Sequence, residues 1–320
     1  MKKNVLLLET IAEAALEYLS DHANVYTAYD EASLIEAKGS VEIHGIITRG
    51  KGQINKALLE SFPSVEVVAR CGVGLDNVSV DEATARNIMV INAPGSNAST
   101  IAEHTLSLML MAMRNMYESA WQVKQGNWNW RNQYSGDELS GKTLGIIGMG
   151  NIGQRVVKLG QAFGMNVIYW SRSAKDSDGV HVTIEELLQQ SDIVSLHLPL
   201  TPETDQLIGA EQLNLMKPGS LLINTARAAL IDHHALLKAL DDNKLSGFAA
   251  DVLPEEPPIA DDPVVAHAKT IITPHSGSLT AATYQRMCLL TVQNVVAILN
   301  GAEPDPKSIF NREDLQKNNS

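Results

Sequence analysis

The sequence predicts an α/β protein of two domains, each built on a parallel sheet with helices on both faces. Three observations support this prediction. The 320 residues are enough for two domains of ordinary size. Short apolar runs alternate with longer segments of helical periodicity along the chain, as expected for parallel sheets covered by helices. A turn cluster, Pro94-Gly95-Ser96-Asn97, separates an earlier α/β series from a later one.

The first series contains five predicted strands. They are NVLLLE (4–9), NVYTAY (24–29), GIITRG (45–50), VEVVARCG (65–72) and IMVINAP (88–94). Helical stretches such as IAEAALEYLS and NKALLESF lie between them. After the turn cluster, Ser99 or Thr100 is expected to cap one long apolar helix, IAEHTLSLMLMAMRNMYESAW.

The second series begins at Thr143 and contains six predicted strands. They are TLGIIGMG (143–150), NVIYWSR (166–172), IVSLHLPL (193–200), SLLINTA (220–226), GFAADV (247–252) and TIITPH (270–275). A last helix is predicted over roughly residues 280–300. The polar tail that follows this helix is expected to be loose.

The composition excludes several classes of protein. The net charge is -12, and an acidic surface argues against nucleic acid as a partner, because phosphate binding needs a basic face. The only cysteines, Cys71 and Cys288, do not make a disulfide framework. The N-terminal run MKKNVLLLET is too short for a signal peptide, and no window is apolar enough for a membrane span. A cytoplasmic protein without nucleic-acid or membrane partners is therefore expected.

A glycine motif at the start of the second series predicts a dinucleotide site. Residues 144–153, LGIIGMGNIG, place Gly-x-Gly-x-x-Gly where a buried strand meets a helix. The glycines allow a tight turn and a close approach of the backbone to a pyrophosphate, and the helix N-terminus offers free N–H groups to the anion. The alternative is a glycine-rich turn without a ligand. The predicted cofactor contacts are Gly148, Gly150, Asn151, Ile152 and Gly153.

The end of the next strand bears on the choice of cofactor. An NAD enzyme usually carries Asp or Glu about 20 residues past the glycines, where it binds the ribose 2′-hydroxyl. This sequence has Ser171-Arg172-Ser173 instead, and Arg172 between two hydroxyls suits the 2′-phosphate of NADP. We therefore expect NAD(P) as the cofactor, with NADP preferred. The alternative is that Arg172 only stacks on the adenine ring.

Three further segments carry a resemblance to a known family. They are INTARAALID (223–232), ADVLPEEPP (250–258) and TPHSGS (273–278). Together with the glycine motif, the loop GNW…GDELSGKTLGIIG and the run HLPLTPET (197–204), they resemble the D-isomer-specific 2-hydroxyacid dehydrogenases over nearly the whole chain. The resemblance implies an NAD(P)-dependent oxidoreductase that transfers a hydride between nicotinamide and C2 of a small 2-hydroxy or 2-oxo acid.

The resemblance also implies roles for three residues. Arg227 would bind the substrate carboxylate and polarise the 2-oxo group. His275 would be the general acid in reduction and the base in oxidation, and Glu256 would orient the imidazole and stabilise its protonated form. No metal is required. Taken one at a time, these residues have plainer readings: a surface strand-end arginine, a solvated loop carboxylate and a turn histidine.

Further cofactor contacts follow from the same resemblance. Asp251 would lie near the nicotinamide carboxamide, and Thr225 and Gly277 along the nicotinamide half. Pro199 and Thr204 would flank the adenine or the pyrophosphate. The chain departs from the family at Ala228, where glycine is common, and in the run Ser276-Gly277-Ser278, where an apolar residue and a glycine pair are common.

On the substrate side, the run ARCGVGLDNV (69–78) contains a Gly72-Val73-Gly74 loop at a strand end. Such a loop can direct N–H groups at a carboxylate. Arg70, Arg49 and Lys51 suggest a second anionic group on the substrate, a pattern similar to that of D-3-phosphoglycerate dehydrogenases. There, serine often stands where this chain has Gly50.

The alternative is that Arg49 and Lys51 are solvated loop ends. The runner-up substrates are glyoxylate and hydroxypyruvate. Because the chain stops at residue 320, no regulatory domain is expected.

These motifs assign the domains. Residues 1–98 with 292–320 are expected to form the substrate-binding (catalytic) domain, and 99–291 the Rossmann-like, dinucleotide-binding domain, with an active-site cleft that closes between them. The apolar helix from Thr100 is expected to be partly covered by a second subunit in a homodimer. A rival of another class is a cofactor-sensing, corepressor-like binding protein. It is disfavoured because all the catalytic side chains are present.

Overall fold

The computed structural model describes residues 2–50 and 52–318, so the expectation for Lys51 lies outside the described residues. The chain divides into two compact units, Met1–Asn97 with Leu279–Ser320 and Ala98–Ser278. Within the described residues the first unit starts with a run of alternating strands and helices. The strands are β1 (Asn4–Leu7), β2 (Asn24–Thr27), β3 (Gly45–Thr48), β4 (Val67–Arg70) and β5 (Met89–Ile91), and the helices are α1 (Glu13–His22), α2 (Glu31–Ser40), α3 (Lys56–Ser61) and α4 (Val80–Ala85).

The second unit continues the alternation. Its strands are β6 (Thr143–Ile147), β7 (Asn166–Trp170), β8 (Val180–His181), β9 (Ile193–Leu196), β10 (Ser220–Asn224), β11 (Leu245–Ala250) and β12 (Thr270–Ile272). Its helices are α5 (Ala98–Met113), α6 (Met116–Lys124), α7 (Asn151–Ala162), α8 (Ile184–Gln190), α9 (Ala210–Leu215), α10 (His233–Asp241) and α11 (Pro263–Ala266), with 3₁₀ turns at Trp128–Gln133 and Ala228–Leu230. The chain then returns to the first unit as α12 (Ala281–Leu299) and α13 (Arg312–Asn318).

Both sheets are parallel, so the predicted fold class is confirmed. In the described residues the first sheet has the order β2-β1-β3-β4-β5 and the second has the order β12-β11-β10-β9-β6-β7-β8. Every strand expected from the apolar runs is present. The short edge strand β8 was not predicted, because its two residues are exposed and carry no apolar run.

Alternation along the strands buries both faces of the first sheet. Val5 and Leu7 of β1 belong to a core that includes residues of α1 and α12, while Leu6 belongs to a second core that includes residues of α2, α3 and α4. Successive side chains of a strand point to opposite faces, and a continuous apolar run therefore needs helices on both sides. The second unit likewise has buried apolar clusters of its own.

Local capping explains where several helices begin. The Asp30 side chain accepts a hydrogen bond from Ser33 N before α2, and the Thr183 side chain accepts one from Glu186 N before α8. Asp232 accepts from His234 N and Ala235 N before α10. These side chains satisfy amides that have no partner within the first helical turn.

The expected long apolar helix differs from the observed one at both ends. α5 starts at Ala98, so Ser99 and Thr100 lie inside the helix and do not cap it. Asn115 adopts a left-handed backbone with φ of 44°, which ends one helix and starts α6. An isolated left-handed residue interrupts the i to i−4 ladder, and an apolar pattern alone does not reveal it.

The tail after α12 is ordered through residue 318, and the expectation of a loose tail is wrong over these residues. Ile309 forms an antiparallel bridge with Ile91, and Phe310 N donates to Val90 O at 2.8 Å. The Asn311 side chain, only 2% exposed, accepts from Val90 N and donates to Thr84 Oγ1 and Ile88 O. The tail thereby supplies hydrogen bonds to the sheet edge at β5.

The second change of unit comes after Ser278, whereas we expected it between residues 291 and 292. The expected boundary would fall inside α12, which is one continuous helix packed on α1 and β4. Separately, no helix within residues 2–50 and 52–318 is both long and apolar enough to span a membrane.

Candidate active site

A histidine and a glutamate pair at the ends of neighbouring strands of the second unit. His275 follows β12 and Glu256 lies in the loop after β11, and His275 Nδ1 is 2.6 Å from Glu256 Oε2. The other Glu256 oxygen accepts a hydrogen bond from Leu253 N at 2.9 Å, which fixes the carboxylate. The His275 side chain is 50% exposed, so its ring can meet a ligand. In this arrangement Glu256 orients His275, and the imidazole can act as a general acid or base.

Asp251, at the end of β11, anchors the loop that carries His275. Its carboxylate accepts from Thr273 Oγ1 at 2.5 Å, from Ser276 N at 2.9 Å and from Gly277 N at 2.8 Å. Burial raises the pKa of Asp251, but these bonds and the contact with His104 outweigh it, and the net pKa is lowered. The Asp251 carboxylate is therefore already hydrogen-bonded to residues of its own chain. Its expected contact with the nicotinamide carboxamide stays a prediction.

The close approach of Asp251 explains why residue 277 is glycine. A Cβ on Gly277 would lie 2.8 Å from Asp251 Oδ2 and 3.1 Å from the Ile101 side chain, so no larger residue fits without a shift. Its amide is already bonded to Asp251, and its expected contact with the cofactor stays a prediction.

Arg227 follows β10 in a turn that a buried asparagine holds. Asn224 Oδ1 accepts from Ala226 N at 3.0 Å, and Asn224 Nδ2 donates to Arg227 O at 2.8 Å. Sequence reasoning did not identify Asn224, which is fully buried at the strand end. Ala228 starts a 3₁₀ turn and needs no left-handed backbone, so the departure from glycine brings no strain here.

The three predicted catalytic residues share one edge of the second sheet. β10, β11 and β12 are consecutive parallel strands, and Arg227, Glu256 and His275 all come after their carboxyl ends. Adjacent strands are ~4.8 Å apart, so the backbones after β10 and β12 are separated by about 10 Å. Two long side chains can reach a common small ligand across that distance.

The predicted pyrophosphate cradle is a tight strand–turn–helix. Gly148 has a φ of 105°, and a Cβ there would lie 2.5 Å from His197 O. A Cβ on Gly153 would lie 2.0 Å from Gly148 O, so the turn and the start of α7 require glycine at both positions.

Gly150 differs from its two neighbours in the motif. A Cβ on Gly150 would meet no heavy atom of the described residues within 4 Å. Gly150 directly precedes α7, whose first residues are Asn151 and Ile152, and the first amides of a helix lack intrahelical partners. The open space around the Gly150 Cβ position, next to this helix start in the chain, is where a dinucleotide pyrophosphate would approach.

The two other cofactor segments follow β7 and β9, the strands on either side of β6. Arg172 and Ser173 follow β7 and are exposed, and Ser171 Oγ donates to Ser173 O at 2.7 Å. Thr204 Oγ1 donates to Pro199 O at 2.8 Å and accepts from Thr201 N, so this hydroxyl shapes the loop after β9.

Glu203 lies in the loop after β9. Hydrogen bonds from the Thr201 hydroxyl and from its own amide lower its pKa, and the charge of Arg172 is the smallest contribution. Thr225, the remaining cofactor candidate, is buried, and its hydroxyl lies 2.9 Å from Thr105 Oγ1.

Two histidines near the site were missed as functional candidates. His197 is 9% exposed, its Nε2 lies 2.9 Å from Ser195 Oγ, and burial lowers its pKa to about 3. His104 on α5 lies 2.9 Å from Thr273 Oγ1. Each stands in an apolar strand or helix pattern that indicates burial and gives no sign of a polar partner.

The predicted substrate arginines lie in the first unit and are paired within it. Arg49 Nε lies 3.8 Å from Glu9 Oε2, and its guanidinium is 5.4 Å from the centre of the Tyr284 ring. Arg70 Nε donates to Arg49 O at 2.6 Å, and Arg70 Nη1 lies 3.5 Å from Asp76 Oδ2.

Glu9 fills the loop after β3. Its Oε1 accepts from Thr48 Oγ1 at 3.0 Å and from the amides of Arg49, Gly50 and Gly52 at 3.1, 2.7 and 2.9 Å. The side chain is only 11% exposed. An anion of this chain thus already uses amides that a substrate phosphate could otherwise have bound.

The Gly72-Val73-Gly74 loop is also partly engaged. Gly72 N donates to Arg70 O at 2.8 Å, and Gly72 O accepts from Ala93 N at 2.8 Å. Val73 O accepts from Asn92 Nδ2 at 2.7 Å. Of the expected amide donors, Gly72 is therefore committed to its own strand end, and the roles of Val73 and Gly74 stay predictions.

Comparisons with known proteins agree with this geometry. Residues 106–277 match the family model of the D-isomer specific 2-hydroxyacid dehydrogenase NAD binding domain. A glyoxylate reductase of Aeropyrum pernix is 38% identical over 98% of this chain and 97% of its own length. A D-3-phosphoglycerate dehydrogenase of Methanocaldococcus jannaschii is 36% identical over 93% of this chain, which spans 57% of that protein.

Solved structures share the fold. The NADPH-dependent glyoxylate/hydroxypyruvate reductase of Sinorhizobium meliloti, in complex with NADP and malonate, is 26% identical with a TM-score of 0.85, covering 97% of this chain and 98% of that one. The TT0316 protein of Thermus thermophilus is 37% identical with a TM-score of 0.87, covering 94% and 98%. The chain therefore belongs to the D-isomer-specific 2-hydroxyacid dehydrogenases, NAD(P)-dependent oxidoreductases that act on the CH–OH group of 2-hydroxy acids.

Proposed function

We propose that the protein is an NADP-preferring reductase of a small 2-oxo acid, of the glyoxylate or hydroxypyruvate class. The observation that supports the chemistry is the 2.6 Å contact between His275 Nδ1 and Glu256 Oε2 at the sheet edge that also carries Arg227. An imidazole oriented by a carboxylate and a nearby guanidinium are the groups needed to protonate a carbonyl next to a carboxylate.

The residues divide the work between binding and proton transfer. Arg227 binds the substrate carboxylate through its planar fork. His275 gives a proton to the carbonyl oxygen from Nε2, because Nδ1 faces Glu256, and Glu256 stabilises the imidazolium. Gly148, Gly150 and Gly153 with the first turn of α7 would hold the pyrophosphate of NAD(P)H, whose reduced nicotinamide would supply the hydride.

Exposure and charge at Arg172 support NADP as the preferred cofactor. The residue stands where NAD enzymes usually carry a carboxylate, and its side chain is exposed beside two serines. The sign of its charge suits a 2′-phosphate.

Two observations favour the smaller acids over a phosphorylated one. Arg49 and Arg70 are paired with Glu9 and Asp76, and Glu9 takes amides of the loop after β3. The glyoxylate reductase of Aeropyrum pernix is 38% identical to this chain over 98% of it. A phosphorylated three-carbon acid is the second candidate, because Arg49 and Arg70 are the cations that would meet its phosphate.

One kinetic panel tests the proposal. Turnover is measured with glyoxylate, hydroxypyruvate and 3-phosphohydroxypyruvate, each with NADPH and NADH. We expect the highest kcat/KM with NADPH and an unphosphorylated acid, and Arg172→Ala should lower kcat/KM for NADPH about tenfold more than for NADH. A higher kcat/KM with NADH rejects the cofactor proposal. A preference for 3-phosphohydroxypyruvate that Arg49→Ala and Arg70→Ala remove would establish the second candidate.

We also propose a homodimer in the cytoplasm, with an interface at the C-terminal part of the expected apolar segment and the turn that follows it. Leu108 and Met109 of α5 are buried against their own unit, which packs α5 on α7. Exposed apolar side chains lie instead on α6 and the following 3₁₀ turn: Met116, Tyr117, Trp121, Val123 and Trp128. A second copy of the chain would cover these side chains. A monomer mass in light scattering at micromolar concentration would reject the dimer.

A further inference from the structure

His104 connects the long helix α5 to the loop that carries His275. Its Nε2 lies 2.9 Å from Thr273 Oγ1 and 3.4 Å from Asp251 Oδ1. The side chain is mostly buried, and a Cβ on Gly277 would lie 3.2 Å from its Cδ2 atom. The His104 ring therefore packs against residues on both sides of His275.

The direction of the hydrogen bonds can be assigned. Thr273 Oγ1 lies 2.5 Å from Asp251 Oδ1, and an ionised carboxylate only accepts, so the single hydroxyl proton of Thr273 goes to Asp251. Thr273 Oγ1 must then accept from His104, which places a proton on His104 Nε2. The chain of donors runs from His104 through Thr273 to Asp251.

This chain of bonds brackets a strained residue. His275 has a φ of 52°, a left-handed conformation that is unfavourable for a residue with a side chain. Thr273 precedes it, and the amides of Ser276 and Gly277 follow it, and all three donate to Asp251. A strained conformation persists only when its surroundings fix it on both sides.

We infer that His104 is a positioning residue, which acts through Thr273 and Asp251 to hold the His275 imidazole against Glu256. The inference rests on the proposed function, in which His275 is the acid that protonates the 2-oxo group. His104 is not itself expected to touch the substrate or the reacting atoms. Its donated proton fixes Thr273, and Thr273 with Asp251 fixes the backbone on each side of His275.

The test compares two substitutions at one position. His104→Leu removes the donor but keeps apolar volume, and His104→Gln places an amide N–H near the position of the imidazole Nε2. The control is Glu103→Gln, an exposed neighbour on α5. For each variant, kcat and KM are measured for the best 2-oxo acid with NADPH, and long-range ¹H–¹⁵N spectra of the His275 ring are recorded without substrate.

We expect His104→Leu to lower kcat about tenfold or more, because a small misplacement of an acid is costly, with KM for NADPH within about twofold. His104→Gln should recover most of kcat, and Glu103→Gln should match the parent protein. The His275 Nδ1–H resonance should broaden or shift in His104→Leu only. This resonance does not depend on turnover.

Equal losses of kcat in His104→Leu and His104→Gln, or an unchanged His275 resonance in folded His104→Leu, would overturn the inference. A parent protein that reduces none of the three acids would reject the proposed function, and the spectra would still decide the role of His104.

Discussion

Glu256 holds the imidazole of His275 from the loop after β11, with Oε2 at 2.6 Å from Nδ1 and Oε1 bonded to Leu253 N at 2.9 Å. Both carboxylate oxygens have a hydrogen-bond partner, and these two bonds hold the carboxylate against the ring. A carboxylate accepts, which places the Nδ1 proton toward Glu256 and leaves Nε2 for proton exchange. The tautomer of His275 therefore depends on a residue nineteen positions away in the chain.

Replacing Glu256 tests this control of the tautomer. In Glu256→Gln the charge is lost and the amide N–H₂ no longer favours a proton on Nδ1, so kcat for reduction should fall about 10²-fold. KM for NADPH should change little, since Glu256 has no part in the predicted cofactor cradle. Steady-state kinetics on the purified variant measures both. Glu255→Gln, an exposed neighbour, is the matched control, and an equal loss in that variant would contradict the assignment.

Two glycines of the cradle should respond differently to alanine. Gly153→Ala places a Cβ 2.0 Å from Gly148 O, so the second unit should lose several kcal/mol of stability or fail to fold. Gly150→Ala meets no described atom within 4 Å, and its φ of -76° suits alanine. It should fold normally and weaken NADPH binding, because its methyl group enters the space before α7.

Thermal unfolding and NADPH fluorescence titration separate the two effects at Gly150 and Gly153. Unchanged NADPH affinity in Gly150→Ala would show that the pyrophosphate does not approach this turn.

His197 should make the protein acid-sensitive in a defined pH window. Burial lowers its pKa to about 3, whereas the unfolded chain titrates near 6.5. Below pH 6.5 His197 is protonated in the unfolded chain but stays neutral in the folded protein. The free energy of unfolding therefore falls by about 1.4 kcal/mol per pH unit as the pH falls toward 3. Between pH 6.5 and 5 the loss is about 2 kcal/mol.

His197→Gln should lack that part of the acid dependence. Urea unfolding of the parent, His197→Gln and the exposed control His234→Gln at a series of pH values measures it. Parallel pH dependence in the parent and His197→Gln would show that His197 is protonated in the folded protein.

The buried side chain of Asn311 should matter for stability although it lies in the C-terminal tail. Asn311→Ala leaves Val90 N, Thr84 Oγ1 and Ile88 O without their partner, at a cost of about 3 kcal/mol. Urea unfolding gives the difference, with the exposed Gln316→Ala as control. A loss of stability below about 0.5 kcal/mol would mean that water replaces the asparagine and that the tail is not held at β5.

The fold was predictable because its strands and helices produce local patterns of apolar residues in the sequence. Continuous apolar runs of four to eight residues, separated by helical periodicity, predicted every strand except β8, and the glycine spacing at 148–153 predicted the strand–turn–helix. These signals depend on neighbours in sequence, where the side-chain period of a strand or helix acts.

The candidate catalytic residues were predicted in the same way, because each lies in a short motif that follows a strand. Consecutive parallel strands place their carboxyl ends at one edge, which is why Arg227, Glu256 and His275 share it.

By itself, the sequence determined the α/β class, the strands other than β8, the family and the residue types at the sheet edge. Only the tertiary structure decided which polar side chains are already hydrogen-bonded within the chain. These are Glu9 to the loop after β3, Asp251 to the loop that carries His275, Asn224 to the backbone of Arg227, and Asn311 to β5. Periodicity reports whether a side chain is buried, but a hydrogen bond between distant residues depends on how the elements pack. The same burial pattern is compatible with many partners, and the packed chain selects one.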